Sequence, residues 1–195
     1  MKKMLISIAI GVFALLPTTA IYAHTLEQQD NYFEVNGDIS HGIRANEATT
    51  YIPISVNVND EISSNVVLEI KPYSLEDSRG LTNGKAINFN ISGNFYKTSN
   101  DEIVSVYGLS ESAEYNGNIT SVTGNNSYHN STLSKWSGTH RVSESTENSS
   151  EVDVQGFYTL LYNNIENNTA KIKMTVQKDG TYNITGDYYT SNVSK

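Results

Sequence analysis

Apolar and polar residues alternate with a period of two along most of the chain after residue 30. Such alternation predicts β-strands that bury one face and leave the other in water. Helical periodicity is scarce, so the pattern predicts an all-β fold. The clearest alternating runs cover residues 33–39, 52–58, 66–70, 87–91, 104–106, 152–154, 170–176 and 182–184.

Glycine-containing dipeptides separate several of these runs and predict tight turns, the strongest of them Asp179-Gly180 between two alternating segments. Pro53 has no backbone N–H to donate, so the strand that contains it is predicted to lie at a sheet edge. Short strands at regular spacing indicate an antiparallel β-sandwich or barrel, and we predict the sandwich. Residues 107–150 are predicted to form long strands or loops, and a short helical turn is predicted around Leu75-Glu76-Asp77.

The first 23 residues have the features of a secretory signal peptide. Lys2 and Lys3 precede an apolar run over residues 4–16, and Pro17 follows. Small residues allow cleavage after Ala20 or after Ala23. The apolar run is too short to span a bilayer, and we expect no transmembrane segment. The predicted organisation is therefore a signal peptide (1–23), an N-terminal extension (24–40) and a β-sandwich domain (41–195).

The net charge and the cysteine content exclude several classes of function. The formal net charge is -8, and loss of Lys2 and Lys3 with the signal peptide would make it -10. Such an acidic chain argues against binding to nucleic acid and against a basic membrane-surface patch. The chain has 0 Cys, which excludes disulfides, thiol catalysis and Cys-based metal sites.

No catalytic motif is recognisable, and the sequence predicts neither an enzyme nor a bound cofactor. Residues 108–112 (GLSES) lack the second glycine of a nucleophile elbow. The acid pairs Glu76-Asp77 and Asp101-Glu102 would point to opposite faces of a strand. A further acid group lies in a Ser-rich stretch that we interpret as a solvated loop, and its members are Glu144, Glu147 and Glu151.

A copper site is one hypothesis for the mature N-terminus. Cleavage after Ala23 would give His24 a free α-amine, and these two nitrogens with a second histidine would form a three-nitrogen site suited to Cu(II). This arrangement resembles lytic polysaccharide monooxygenases and small periplasmic copper-binding sandwiches. The candidate second ligands are His41, His129 and His140. The alternative is an incidental histidine at a frayed terminus.

Tyrosines suggest a second kind of ligand, because their rings can stack on sugars. The alternative is that they are ordinary strand residues with one polar end. The candidates for a carbohydrate face are Tyr158, Tyr162, Tyr182, Tyr188 and Tyr189.

The chain as a whole resembles subunits of chaperone–usher fimbriae, in particular the Cys-free, colonisation-factor-like pilins. The resemblance lies in the signal peptide, the all-β mature chain, the alternating segment 33–39 and the strand with Gly180-Thr181-Tyr182. It implies an immunoglobulin-like sandwich that lacks one strand and is completed by a neighbour's extension. The residues that would enter the neighbour's groove are Phe33, Val35, Gly37 and Ile39, with Gly37 at the tight point.

The resemblance also implies partners and a location. The partners would be neighbouring fimbrial subunits, a periplasmic chaperone, an outer-membrane usher and a host glycan or protein receptor. The location would be a cell-surface fimbrium that mediates adhesion. Two alternatives stay open: residues 33–39 pair within their own chain in a closed sandwich, or the chain is a secreted or periplasmic protein that binds carbohydrate or copper.

Overall fold

The computed structural model describes residues 6–8, 25–38, 49–76, 82–115, 120–148 and 151–190. These residues form twelve strands joined by turns and contain no helix. The strands are β1 (Ile6–Ile8), β2 (Thr25–Gln29), β3 (Tyr32–Asp38), β4 (Thr50–Asn57), β5 (Ile62–Glu76), β6 (Thr82–Lys97), β7 (Ile103–Tyr115), β8 (Thr120–Ser131), β9 (Trp136–Asn148), β10 (Glu151–Tyr162), β11 (Ile165–Gln177) and β12 (Thr181–Thr190).

The strands form two antiparallel sheets, which confirms the predicted all-β sandwich. The first sheet has seven strands in the order β1-β2-β3-β12-β11-β10-β9, and the second has five in the order β4-β5-β6-β7-β8. β1 lies within the predicted signal peptide and pairs with β2 at the sheet edge. Without it the first sheet would have six strands, and β2 would be its edge.

The immunoglobulin-like topology is not confirmed. Among the described strands, every hydrogen-bonded pair joins consecutive strands except the pair of β3 with β12. The chain changes sheets between β3 and β4 and again between β8 and β9. This is a meander order, whereas immunoglobulin-like sandwiches have Greek-key connections.

One continuous core fills the space between the sheets and explains the period-two pattern. On β4, Ile52, Ile54 and Val56 are buried while the residues between them are exposed. Pro53 lies on this strand, at the edge of the five-stranded sheet, as its missing N–H predicts. Aromatic rings make up much of the core, and the bulkiest of its fully buried side chains are Tyr107, Tyr158, Tyr188, Phe33, Phe89 and Phe95.

The predicted helical turn around Leu75 is wrong. β5 continues to Glu76, and Leu75 pairs with Gly84 on β6. Cross-strand pairing satisfies this backbone, so no local helical bonds are needed. Asp77 lies outside the described residues. The described part of 107–150 consists mainly of the long strands β7, β8 and β9.

Candidate functional site

The segment predicted to assemble with a neighbour pairs within its own chain in this structure. β3 lies between β2 and β12. Phe33 and Val35 are buried in the core of their own sandwich. Ile39 lies outside the described residues. The arrangement is that of the closed-sandwich alternative, and exchange of this strand between copies stays a prediction.

The contact between β3 and β12 is built from two reciprocal pairs of an aromatic residue and a glycine. Phe33 is opposite Gly186, and Tyr182 is opposite Gly37. In each pair the ring occupies the space that a Cβ on the glycine would need. Phe89 of the second sheet packs edge-on against Tyr182, with ring centroids 5.2 Å apart. Gly37 is thus in tight contact with a residue of its own chain, and its place at the tight point of a neighbour's groove stays a prediction.

The outer surface of the same strand pair carries a hydrogen-bonded carboxylate, that of Glu34. It accepts hydrogen bonds from the Tyr32 hydroxyl (2.8 Å), from Asn36 Nδ2 (3.1 Å) and from Asn183 Nδ2 (2.6 Å). The bonds from Tyr32 and Asn36 are the main causes that lower the pKa of Glu34. β3 is therefore fixed to β12 through packing on the inner face and through hydrogen bonds on the outer face.

The candidate copper ligands are not brought together among the described residues. His24 and His41 lie outside them. His129 is buried and uses both ring nitrogens: Nδ1 lies 3.0 Å from the Thr139 carbonyl, which can only accept, so Nδ1–H donates. Nε2 then accepts from the Ser105 hydroxyl at 3.1 Å. Burial lowers the pKa of His129.

His140 is exposed, and its ring stacks on Tyr158 with centroids 6.4 Å apart. Within the described ranges, no three His, Asp or Glu side chains are placed to share one metal ion.

The prediction of a carbohydrate face is wrong for three of the five tyrosines. Tyr158, Tyr182 and Tyr188 are buried between the sheets. The hydroxyl of Tyr158 donates to the Gly108 carbonyl at 3.0 Å, and that of Tyr188 is 2.8 Å from the Tyr107 hydroxyl. Because these contacts cross from one sheet to the other, buried tyrosines connect the two layers. Tyr162 and Tyr189 are exposed.

An exposed apolar row remains at the end of the sandwich where β10 turns into β11. Trp136 and Tyr162 face each other across β9 and β10, with ring centroids 4.9 Å apart. Ile165 pairs with Tyr162 across the turn and is 56% exposed. We call these three residues the aromatic row. It presents a partly exposed aromatic pair next to the polar turn residues Asn163 and Asn164.

Glu111 on β7 is a buried acidic residue that the sequence motifs did not single out. Its side chain is 3% exposed, and neither carboxylate oxygen has a hydrogen-bond partner among the described residues. Burial, and to a smaller extent the charge of Glu144, raises the pKa of Glu111 to about 8. The available signal was the period of two, which puts Glu111 on the same face as Tyr107 and Leu109. The predicted solvated loop around Glu144 is also wrong, because Glu144 and Glu147 lie in β9, and Glu151 begins β10.

Comparisons with known proteins identify no family. In the described residues no helix occurs that could cross a membrane. No model of a known protein family matches the chain. No curated protein and no solved structure matches it either. The function is therefore inferred from the residues of this chain.

Proposed function

We propose that the chain is a secreted, non-enzymatic subunit or adhesin of a bacterial surface fibre, in which the strand β3 of one copy pairs with β12 of the next. The observation that carries the proposal is the reciprocal packing of Phe33 on Gly186 and of Tyr182 on Gly37. Because every copy has the same β3, a neighbour's strand would make the same contacts as the chain's own strand.

The position of β3 in the chain favours such an exchange. β2 and β3 precede the nine strands β4–β12, and among the described strands β3 hydrogen-bonds only with β2 and β12. Exchange of the β2–β3 hairpin would preserve these contacts and change only the copy that supplies them. A subunit without β3 would expose Ile184 and Tyr188 of β12, which is the kind of open sheet edge that a chaperone would need to cover.

The proposal does not require the immunoglobulin-like topology that the fimbrial resemblance implies. Strand exchange needs an open sheet edge and a strand of matching register, and a meander sandwich provides both. The partners in this proposal are neighbouring subunits, a periplasmic chaperone and an outer-membrane usher, with a host receptor for the adhesin role.

Cysteine cross-linking tests which copy supplies β3. Asn36 and Asn183 are directly opposite each other on the outer face, and their side chains are joined by a 2.8 Å hydrogen bond. The chain has 0 Cys, so introduced thiols are the only ones present. Mature N36C and N183C subunits are assembled together and oxidised. Exchange predicts disulfide-linked dimers between the two single variants, and higher ladders from the double variant.

A matched control uses N36C with D153C, because Asp153 lies on β10 and is not a neighbour of β3. This pair should give no specific cross-link. The double variant N36C/N183C is oxidised under the same conditions that are used to test assembly of the wild-type protein. Strand exchange is refuted if it gives only an internally linked monomer.

Carbohydrate recognition is a second candidate, and the aromatic row favours it. Trp136 and Tyr162 are close together, and Tyr162 is 40% exposed, so a sugar ring could stack on this pair. Binding to a panel of immobilised glycans should be lost in W136A and Y162A. Y51A is the control, since Tyr51 is exposed on the distant edge strand β4. Equal binding by all three variants would contradict this role.

A further inference from the structure

The outer face of the five-stranded sheet carries almost no charge where it crosses strands β5 to β8. The strand register aligns its residues in three rows. The middle row consists of Val67, Ser92, Gly108 and Tyr128. The two rows beside it consist of Glu69, Asn90, Ser110 and Asn126, and of Asn65, Asn94, Val106 and Asn130. Glu69 is the single charged residue in these three rows.

The outer face of the seven-stranded sheet is different, because it carries charges of both signs. Lys173 and Asp153 form an ion pair there, with 2.9 Å between nitrogen and oxygen. Further charged residues in the same rows are Glu27, Glu34, Asp187, Lys171 and Arg141. The uncharged face is therefore a property of one sheet in an acidic chain. A neutral ligand can cover it without the cost of desolvating ions.

The middle row is apolar at both ends and low at its centre. The ring of Tyr128 lies over Gly108, in the space that a Cβ would need, and 39% of Tyr128 stays exposed. Val67, at the other end, is 42% exposed. Between them, the short side chain of Ser92 is exposed. The row thus offers a shallow track, about three strand spacings or roughly 14 Å long, with an accessible aromatic ring.

The rows beside the track supply amide and hydroxyl groups. Asn90 donates from Nδ2 to Glu69 Oε2 at 3.3 Å, which orients its amide. Asn90, Ser110 and Asn65 are exposed. Amides and hydroxyls can both donate and accept hydrogen bonds, and so can the hydroxyls of a sugar. An apolar ring with a polar tip can also pack against the C–H face of a sugar ring.

We propose that the outer face of the five-stranded sheet binds a neutral oligosaccharide, laid across strands β5 to β8 along the row from Val67 to Tyr128. This site is distinct from the aromatic row, which lies on β9, β10 and β11 of the other sheet. It would provide the receptor contact of the proposed adhesin, so the inference rests on that role and not on strand exchange.

The test measures binding of the mature chain to immobilised neutral oligosaccharides, with sialylated ones for comparison. We expect binding to at least one neutral glycan. Ser92→Glu places a charge and added bulk in the centre of the track, and Tyr128→Ala removes the ring. Each should weaken binding by about tenfold or more. Tyr128→Phe keeps the ring and should retain most of the affinity.

The matched control is Ser143→Glu, the same substitution at an exposed site on β9 of the other sheet. It should bind like the wild type, and so should Trp136→Ala. Because Ser92 is exposed, Ser92→Glu tests the site even if Tyr128→Ala alters folding.

The proposal is overturned if wild-type protein binds no neutral glycan, or if Ser143→Glu weakens binding as much as Ser92→Glu. It is equally overturned if Ser92→Glu leaves glycan binding intact and instead dissociates an oligomer in sedimentation, since the face would then join copies of the chain. None of these results changes the N36C/N183C cross-link, so a failure here is distinguishable from a failure of strand exchange.

Discussion

The ring of Tyr182 covers Gly37, the residue directly opposite it on β3. The same strands repeat the relationship in reverse, with Phe33 over Gly186. Tyr107 and Gly93 form a third such pair, between β6 and β7. An aromatic ring over a glycine covers backbone that would otherwise be open, and it fixes the register because only glycine leaves room for the ring.

Gly37→Ala should therefore destabilise the protein, although alanine is usually better than glycine inside a strand. The added Cβ would overlap the Tyr182 ring, and we expect a loss of about 1–3 kcal/mol in the free energy of unfolding. Chemical denaturation measures it. Thr185→Ala on the outer face of β12 is the control and should change little. Stability equal to or above wild type in Gly37→Ala would show that the ring can move aside.

The Tyr107–Tyr188 hydrogen bond should contribute measurably to holding the sheets together. The Tyr107 hydroxyl is 2.8 Å from both the Tyr188 hydroxyl and Ser64 Oγ. Tyr107→Phe leaves both partners buried without this bond, so we expect a cost of about 1–3 kcal/mol. A double-mutant cycle with Tyr188→Phe should give a coupling energy of about 0.5–1.5 kcal/mol. Tyr51→Phe, at an exposed site, is the control; a cycle with additive costs would contradict a direct bond.

Glu111 should make stability fall as pH rises. Its pKa is about 8 in the folded chain, against an ordinary value of 4.5. Between these values the unfolded chain has lost the proton that the folded chain keeps. The contribution is thus complete below pH 4.5 and is lost as pH rises towards about 8, by at most about 1.4 kcal/mol per pH unit. Urea unfolding from pH 4 to 9 should show this slope, and Glu111→Gln should remove it.

His129 should have the opposite effect to Glu111 and make stability fall as the pH becomes acidic. Burial lowers its pKa below the ordinary value of 6.5, so the unfolded chain takes up a proton more readily than the folded chain. Its contribution is complete above pH 6.5 and is lost as pH falls below that value. His129→Phe should flatten this part of the stability curve, measured as thermal unfolding from pH 7.5 down to 5. The exposed His140→Phe is the matched variant; an unchanged slope in His129→Phe would contradict the assignment.

The sequence by itself determined the all-β class and several of the strands. Alternation over residues 52–58 corresponds to β4, and alternation over 170–176 lies within β11. Asp179-Gly180 marks the turn before β12, and Pro53 indicates an edge strand. These features depend on local backbone chemistry and on a period of two, both of which can be read from the order of residues.

Only the tertiary structure decided which polar residues lie inside. From the sequence alone, Tyr158 and Tyr188 fit a solvent-facing binding surface as well as they fit a core, because a tyrosine has an apolar ring and a polar tip. They can be buried because the opposite sheet offers partners for their hydroxyl groups, the Gly108 carbonyl for Tyr158 and the Tyr107 hydroxyl for Tyr188. Glu111 shares the inner face of β7, yet the charge that helps to raise its pKa, that of Glu144, comes from a strand of the other sheet. Such partners are brought together by the packing of two layers, and spacing along one strand carries no information about them.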